Sequence, residues 1–244
     1  MFINIRPKLI APIPWGWTNK IDEATGTPIV IEHPGKVDMP NLIEYYDWDY
    51  WEAGFPERHW GSIRGCGTRD NKSVFTTALR FLGWQGYADA VDLGRVFAPI
   101  ASSMLKWNTQ LLSMARGAIK YFMVGDDYAS NGGMMISPSS WCTHIMPILD
   151  GMFSIARAFN CTTIMHTDGD ITKILDDITK LPIDILNCEA VGDMAKYKDG
   201  DVVNGVRIWV ESQKDFVYRG YRPLKAIETK DSRKAIERLA ASQI

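Results

Sequence analysis

Three short clusters carry the residues best suited to chemistry, and each follows directly on an apolar run. Thr162–Ile171, TTIMHTDGDI, stops in His166, Asp168 and Asp170 at alternate positions. Ala118–Gly125, AIKYFMVG, ends in Asp126-Asp127-Tyr128, and Ile183–Asn187, IDILN, ends in Cys188-Glu189. An imidazole nitrogen, a carboxylate oxygen and a thiolate or second carboxylate are the donors of a divalent metal site. His166, Asp168 and either Cys188 or Glu189 would therefore suit Zn²⁺ with an open fourth position for substrate. A metal there lowers the pKa of a bound thiol or hydroxyl, and Asp126 or Asp127 could orient the substrate or take its proton. The opposing reading is that His166 is hydrogen-bonded to Asp168 or Asp170 as a structural pair. The two differ in burial: site residues at a strand end are partly solvated, whereas breaking a buried pair costs about 1–3 kcal/mol.

Positioning such groups calls for strands. Residues two apart on an extended backbone share a face, so His166 and Asp168 point the same way from the end of a strand over Thr162–Met165. Gly169 allows the chain to turn, and Asp170 stands as N-cap of a helical pattern, ITKILDDITKL. Three strands thus release ionisable groups at their carboxyl ends, the edge where parallel α/β sheets and barrels bind ligands. From Ser73 the chain reads as helical, with Gly83, Gly86 and Gly94 as breaks, up to the strand that begins near Ala118. The run IMPILDGMFSIARAFN is a further amphipathic helix with Asn160 as its C-cap. Strand, helix, strand, helix, strand over residues 118–190 implies a parallel sheet.

The flanks are less regular. Residues 10–60 hold Pro12, Pro14, Pro28, Pro34, Pro40 and Pro56 and most of the tryptophans, which predicts loops and short strands packed onto a larger body. A hairpin turning at Thr25-Gly26 and a helix start at Asp38-Met39-Pro40 are expected there. The aromatic run Tyr45, Tyr46, Trp48, Tyr50 and Trp51 fits core packing better than a stacking surface. DMAKYKDG predicts a short helix closed by Gly200, VVNGVRIWV a strand with a central glycine, and TKDSRKAIERLAASQI a solvated terminal helix. The division is 1–72 irregular, 73–210 helices and parallel strands, and 211–244 a tail and helix, within a single domain of 244 residues.

Composition excludes several classes of function. A net charge of −2 offers no electrostatic case for nucleic acid or an anionic membrane surface. No apolar run approaches the roughly 20 residues needed to span a bilayer, and MFINIRPK lacks the apolar region of a signal peptide, so a cytoplasmic protein is expected. Cys66, Cys142, Cys161 and Cys188 show no CxxC spacing. The first three read as reduced, small, buried or half-buried residues.

Several phrases together resemble the uroporphyrinogen decarboxylase-like superfamily, closer to its uncharacterised and corrinoid-dependent methyltransferase branches than to the true decarboxylases. GDDYASNGGMMISPSSW is similar to the family's strand ending in GDD and the loop that follows. HTDGDITKILDDI resembles its HxDG or HxCG segment, and IDILNCEAVGDMAKYKDG a third segment of the family. WGWTNKIDEATGTPIVIEHPGKVDMPNLIEYYDWDYWE is similar to its early part, and the likeness runs in order over residues 15–205. The resemblance implies a TIM (β/α)₈-type barrel, here abbreviated to five to seven strands because a full one needs about 250 residues, with an irregular aromatic-rich N-terminal segment. Exposed strand edges would favour a homo-oligomer. It also implies metal-assisted methyl transfer involving a corrinoid, with zinc as metal and the corrinoid as methyl carrier, free or on a corrinoid protein. The alternatives are decarboxylation of a porphyrinogen-like tetrapyrrole, with Asp126 or Asp127 steadying a protonated ring and Tyr128 donating a hydrogen bond, and a non-catalytic ligand-binding derivative. The decarboxylases' arginine-rich N-terminal motif has no counterpart in MFINIRPK. Asp168 stands where the thiol methyltransferases place the first cysteine of their zinc site.

Overall fold

A computed structural model describes residues 4–11, 18–21, 28–32, 42–55, 67–70, 74–88, 93–211, 222–223 and 227–228. Near the N-terminus, strand β1 (Asn4–Leu9) pairs antiparallel with β4 (Tyr46–Phe55), while β2 (Thr18–Ile21) and β3 (Pro28–Glu32) form the expected hairpin. Its Thr25-Gly26 turn, the helix start at Asp38 and Pro40, Cys66 and the C-terminal helical pattern lie outside the described residues. Tyr46 and Trp48 pack edge-on against Trp107, at 4.4 and 4.9 Å between ring centres, so these two aromatics belong to the core.

The site rests on a second, α/β layer. It begins with β5 (Gly67–Asp70), α1 (Val74–Ala88), α2 (Leu93–Ala115) and β6 (Tyr121–Gly125). A small hairpin follows, β7 (Ala129–Ser130) and β8 (Gly133–Met134), then a helical turn α3 (Pro138–Ser140), a π-helical turn at Trp141–Ile145 and α4 (Met146–Ala158). The rest runs β9 (Thr162–Thr167), α5 (Leu175–Ile178), β10 (Ile185–Glu189), β11 (Val202–Val203) and β12 (Val206–Glu211). Two short strands, β13 (Arg222–Pro223) and β14 (Ile227–Glu228), return to pair with β4.

The order across the sheet is β11-β12-β10-β9-β6-β5. Strands β5, β6, β9, β10 and β12 are all parallel, and only β11 runs against its neighbour. The parallel strands thus add in chain order, with no reversal of the kind that marks doubly wound sheets. Side-chain alternation divides the sheet into two faces. Phe122, Val124, Met165, Leu186, Cys188 and Ile208 join the main core with residues of the helices. Met123 and Ile164, with Tyr121, Ile185 and Trp209 against them, form a small second cluster. His166 and Asn187 continue that second face toward the carboxyl edge.

The helices follow their apolar periodicity. In α2 the buried residues Val96, Phe97, Ile100, Met104, Trp107, Leu111 and Leu112 recur at three- and four-residue spacing, and α4 repeats this with Ile148, Leu149, Met152, Phe153 and Ala156. Gly83 and Gly86, expected to break the helix, lie inside α1, since an isolated glycine costs only about 1 kcal/mol in a helix that packing holds in place. The C-cap of α4 is Phe159 rather than Asn160, and Asn160, one residue further on, takes the left-handed conformation, φ 59°, that closes the helix.

Past β10 the structure departs from the sequence expectation. VVNGVRIWV is a tight antiparallel hairpin rather than one strand, because Asn204 and Gly205 both take positive φ, as a two-residue turn requires. Gly200 does not close a helix: only a 3₁₀ turn, Gly192–Lys196, forms, and the Gly200 N–H donates to the Ile208 carbonyl. The helix expected after Asp170 contracts to a 3₁₀ turn, Thr172–Ile174, and the single turn of α5.

Two cysteines sit as expected. Cys161 is buried, with its thiol pushed up to about 11 by burial, and Cys142 is half-buried with its thiol on Asp177. Asp184 ties the start of β9 to the loop before β10, accepting from the Thr163 N–H at 2.8 Å and from Arg157 at 2.6 Å. Burial works against its charge, but these bonds and the Thr163 hydroxyl outweigh it and hold the carboxyl below its ordinary value. A carboxyl depressed by folding contributes stability that is present above its unfolded pKa of about 3.9 and is lost as pH falls further. Asp184→Asn should therefore be less stable than wild type at pH 7, and the gap between their denaturant midpoints should narrow as pH falls below about 4. A gap that stays constant as pH falls below about 4 would rule out this role.

Candidate metal centre at the carboxyl edge

The register of the sheet aligns one row of residues at its carboxyl edge. Gly125 of β6 stands opposite His166 of β9, His166 opposite Asn187 of β10, and Asn187 opposite Trp209 of β12. Within that row, His166 Nδ1 lies 2.6 Å from Asn187 Oδ1, and Asn187 Nδ2 donates to the Trp209 carbonyl at 3.1 Å. His166 is 2% exposed and Asn187 fully buried. His166 is thus more deeply set than a solvated strand-end residue. The open side of the site belongs to half-buried Asp168 and exposed Asp127.

Beyond the row, the chain turns through Asp168-Gly169-Asp170. Gly169 has φ +81°, and a Cβ there would run into the Ala129 carbonyl oxygen, so glycine is required on two counts. The Asp170 N–H donates to the Ser130 carbonyl at 3.0 Å, and the Gly169 N–H to Glu189 Oε2 at 3.3 Å. Asp170 itself turns inward onto the Thr172 N–H and hydroxyl, at 3.1 and 2.6 Å, but the residue that caps the 3₁₀ turn is Ile171, so the expected N-cap is displaced by one position and Asp170 closes a local turn instead. The Thr172 hydroxyl, followed by its N–H and the Asp193 N–H, outweighs burial and lowers its pKa. The Asp168 N–H donates to Asp127 Oδ1 at 3.3 Å and draws the end of β6 toward the turn.

One donor atom from each of Asp127, His166 and Asp168 then lies within 4.8 Å of the others. His166 Nε2 and Asp168 Oδ1 are 3.4 Å apart, which is long for a hydrogen bond between a nitrogen and a carboxylate. It matches two ligands of one tetrahedral ion, which stand about 3.3 Å apart when each bond is near 2.0 Å. The donor chemistry, one imidazole and two carboxylates, fits Zn²⁺ or a harder divalent ion.

The remaining sequence candidates are placed elsewhere. Asp126, 4% exposed, faces the start of α1, accepting from the N–H groups of Phe75 at 2.5 Å and Thr76 at 3.1 Å and from the Thr76 hydroxyl at 2.8 Å. Its own N–H donates to the His166 carbonyl at 3.1 Å. Tyr128 is fully buried against Trp141 and Phe75, and burial, followed by the Asp126 charge, raises its phenol well above the ordinary value. Cys188 shares the helix-covered face with Leu186 and lies in the main core, one residue out of phase with Asn187. Glu189 is half-buried and braces the turn through Gly169. Gly132 and Gly133 belong to the β7–β8 hairpin, which the Asp170 bond pins to the end of β9.

Asn187 was not foreseen as a site residue. The signal was present, since it stands two residues before Glu189 and so shares that residue's face. Residue type conceals it, because asparagine titrates nothing and the adjacent Cys188 is the more obvious ligand by chemistry. No protein-family model matches the sequence, and a search of curated proteins finds no match either.

The two adjacent aspartates separate structure from site. Asp126→Ala strips a cap from α1 and leaves buried donors unsatisfied, for an expected loss of about 1–3 kcal/mol, whereas Asp127→Ala at an exposed position should stay within about 0.5 kcal/mol. Chemical denaturation of both variants measures this, and equal losses would show that the division is wrong.

Proposed function

We propose that the chain is a metal-dependent enzyme of an abbreviated (β/α)-barrel type, with a divalent ion held by Asp127, His166 and Asp168. The observation that carries this is the convergence of one imidazole and two carboxylates at the carboxyl edge of a parallel sheet, where such folds place their chemistry. Parallel strands that add in chain order, covered by helices on one face, support the barrel reading. Two carboxylates at this edge would repel one another without a cation, and a dication offsets both charges. Bound there, the ion would make a coordinated thiol or hydroxyl nucleophilic near neutral pH. His166 supplies a buried anchor from the second face of the sheet. Asp127, the exposed member, faces arriving substrate, and Glu189 holds the Asp168-Gly169 turn in place through its Gly169 bond.

The reaction we assign is metal-assisted methyl transfer involving a corrinoid, free or carried by a corrinoid protein. It rests on the resemblance of the strand-end segments to the uroporphyrinogen decarboxylase-like superfamily. Tetrapyrrole decarboxylation is the weaker reading, because Asp126 is engaged at α1 and Tyr128 lies in the core, which leaves Asp127 alone for that chemistry.

The test is zinc retention. Purified protein should carry less than one zinc until it is loaded, then retain close to one after dialysis. Asp168→Ala should bind at least about tenfold more weakly while keeping its unfolding midpoint. Retention of no zinc by wild type, or equal retention by Asp168→Ala and His166→Ala, would remove the metal reading.

A further inference from the structure

Asn187 stands at the centre of the site yet offers no ligand of its own toward Asp127 or Asp168. Both ends of its amide are engaged, and the two partners are not interchangeable. The Trp209 carbonyl can only accept, so the amide nitrogen must face it, as the 3.1 Å contact requires. The amide oxygen is thereby directed at His166 Nδ1, 2.6 Å away. An oxygen acceptor at that distance requires a proton on Nδ1, and a neutral imidazole carries only one. The lone pair is then on Nε2, the nitrogen that lies 3.4 Å from Asp168 Oδ1.

We infer that Asn187 is a positioning residue that holds His166 in the Nδ1–H tautomer and so directs the Nε2 lone pair at the cluster of Asp127 and Asp168. Its place is set by the fold: the two residues are register partners on adjacent parallel strands, and Trp209 is the next residue along the same row. The residue type also matters. An amide accepts the Nδ1 proton without bringing a further negative charge to the buried ring. Metal-ligating histidines are commonly oriented in this way by an acceptor on the other ring nitrogen. The inference deepens the metal reading and rests on it for its purpose. The tautomer itself can be observed without any metal.

The experiment is two-bond ¹H–¹⁵N correlation NMR on metal-free, ¹⁵N-histidine-labelled protein at about pH 8, above the ordinary histidine pKa. The His166 signals are assigned by their loss in His166→Gln. Wild type should show a protonated Nδ1 and an unprotonated Nε2. Asn187→Leu, which fills the space without an acceptor, should lose the preference for that tautomer and weaken zinc binding about 10–100-fold. Asn187→Asp restores the acceptor and should restore the Nδ1 proton, even if the second oxygen facing the Trp209 carbonyl lowers stability. A wild-type ring protonated on Nε2, or an Asn187→Leu spectrum unchanged from wild type, would overturn the inference. Should Asn187→Leu not fold, wild type and Asn187→Asp decide the matter. A wild-type ring protonated on Nδ1 in a protein that retains no zinc would uphold the role of Asn187 and reject the metal reading.

Discussion

The register between β6, β9, β10 and β12 is the constraint on which the carboxyl edge depends. It puts His166 beside Asn187 and Asn187 beside Trp209, all on the face turned away from the helices. A slip of one residue in β9 would send His166 into the main core and bring Met165 or Thr167 to the edge, because side chains alternate strictly along a strand. Packing holds the register from the other side. Phe122, Val124, Met165, Leu186 and Ile208 form a continuous apolar layer under the helices, and any slip would expose part of it. The register also gives the buried imidazole its Nδ1 partner, Asn187.

Adjacent residues at the end of β6 take opposite roles for the same reason of alternation. Asp126 turns back to the start of α1, across 51 positions of chain, and its N–H closes onto the His166 carbonyl. Asp127 turns out toward Asp168. The helix that covers the sheet and the cluster at its edge are thus anchored at one dipeptide. The Asp168-Gly169-Asp170 turn is held on both sides, by the β7–β8 hairpin through Asp170 and by β10 through Glu189. Gly169 allows the approach because no side chain stands between it and Ala129.

Much of this was legible in the sequence. The strands ending near Gly125, Met165 and Asn187 are apolar runs bounded by ionisable residues, and alternation alone pairs His166 with Asp168. Asn160 near a helix end follows from residue type. Other features depend on tertiary contacts that a local pattern does not encode. Asp126 and Asp127 look equivalent until α1 supplies N–H groups for one of them. Cys188 and Asn187 exchange importance because the phase of β10 relative to β9 is set by packing. The depth of His166 likewise comes from the layers around it and not from its position at a strand end. The Asn204-Gly205 pair is a turn signal in its own right, but the flanking valines favour a continuous strand.

X-ray absorption at the zinc edge of the loaded protein addresses the central claim most directly, since it reports the donors themselves. The expected result is one imidazole with the remaining scatterers oxygen, all at about 2.0–2.2 Å, and no sulfur. A zinc–sulfur shell near 2.3 Å would contradict it, because it would bring into the site a cysteine such as Cys188, which the fold places in the core.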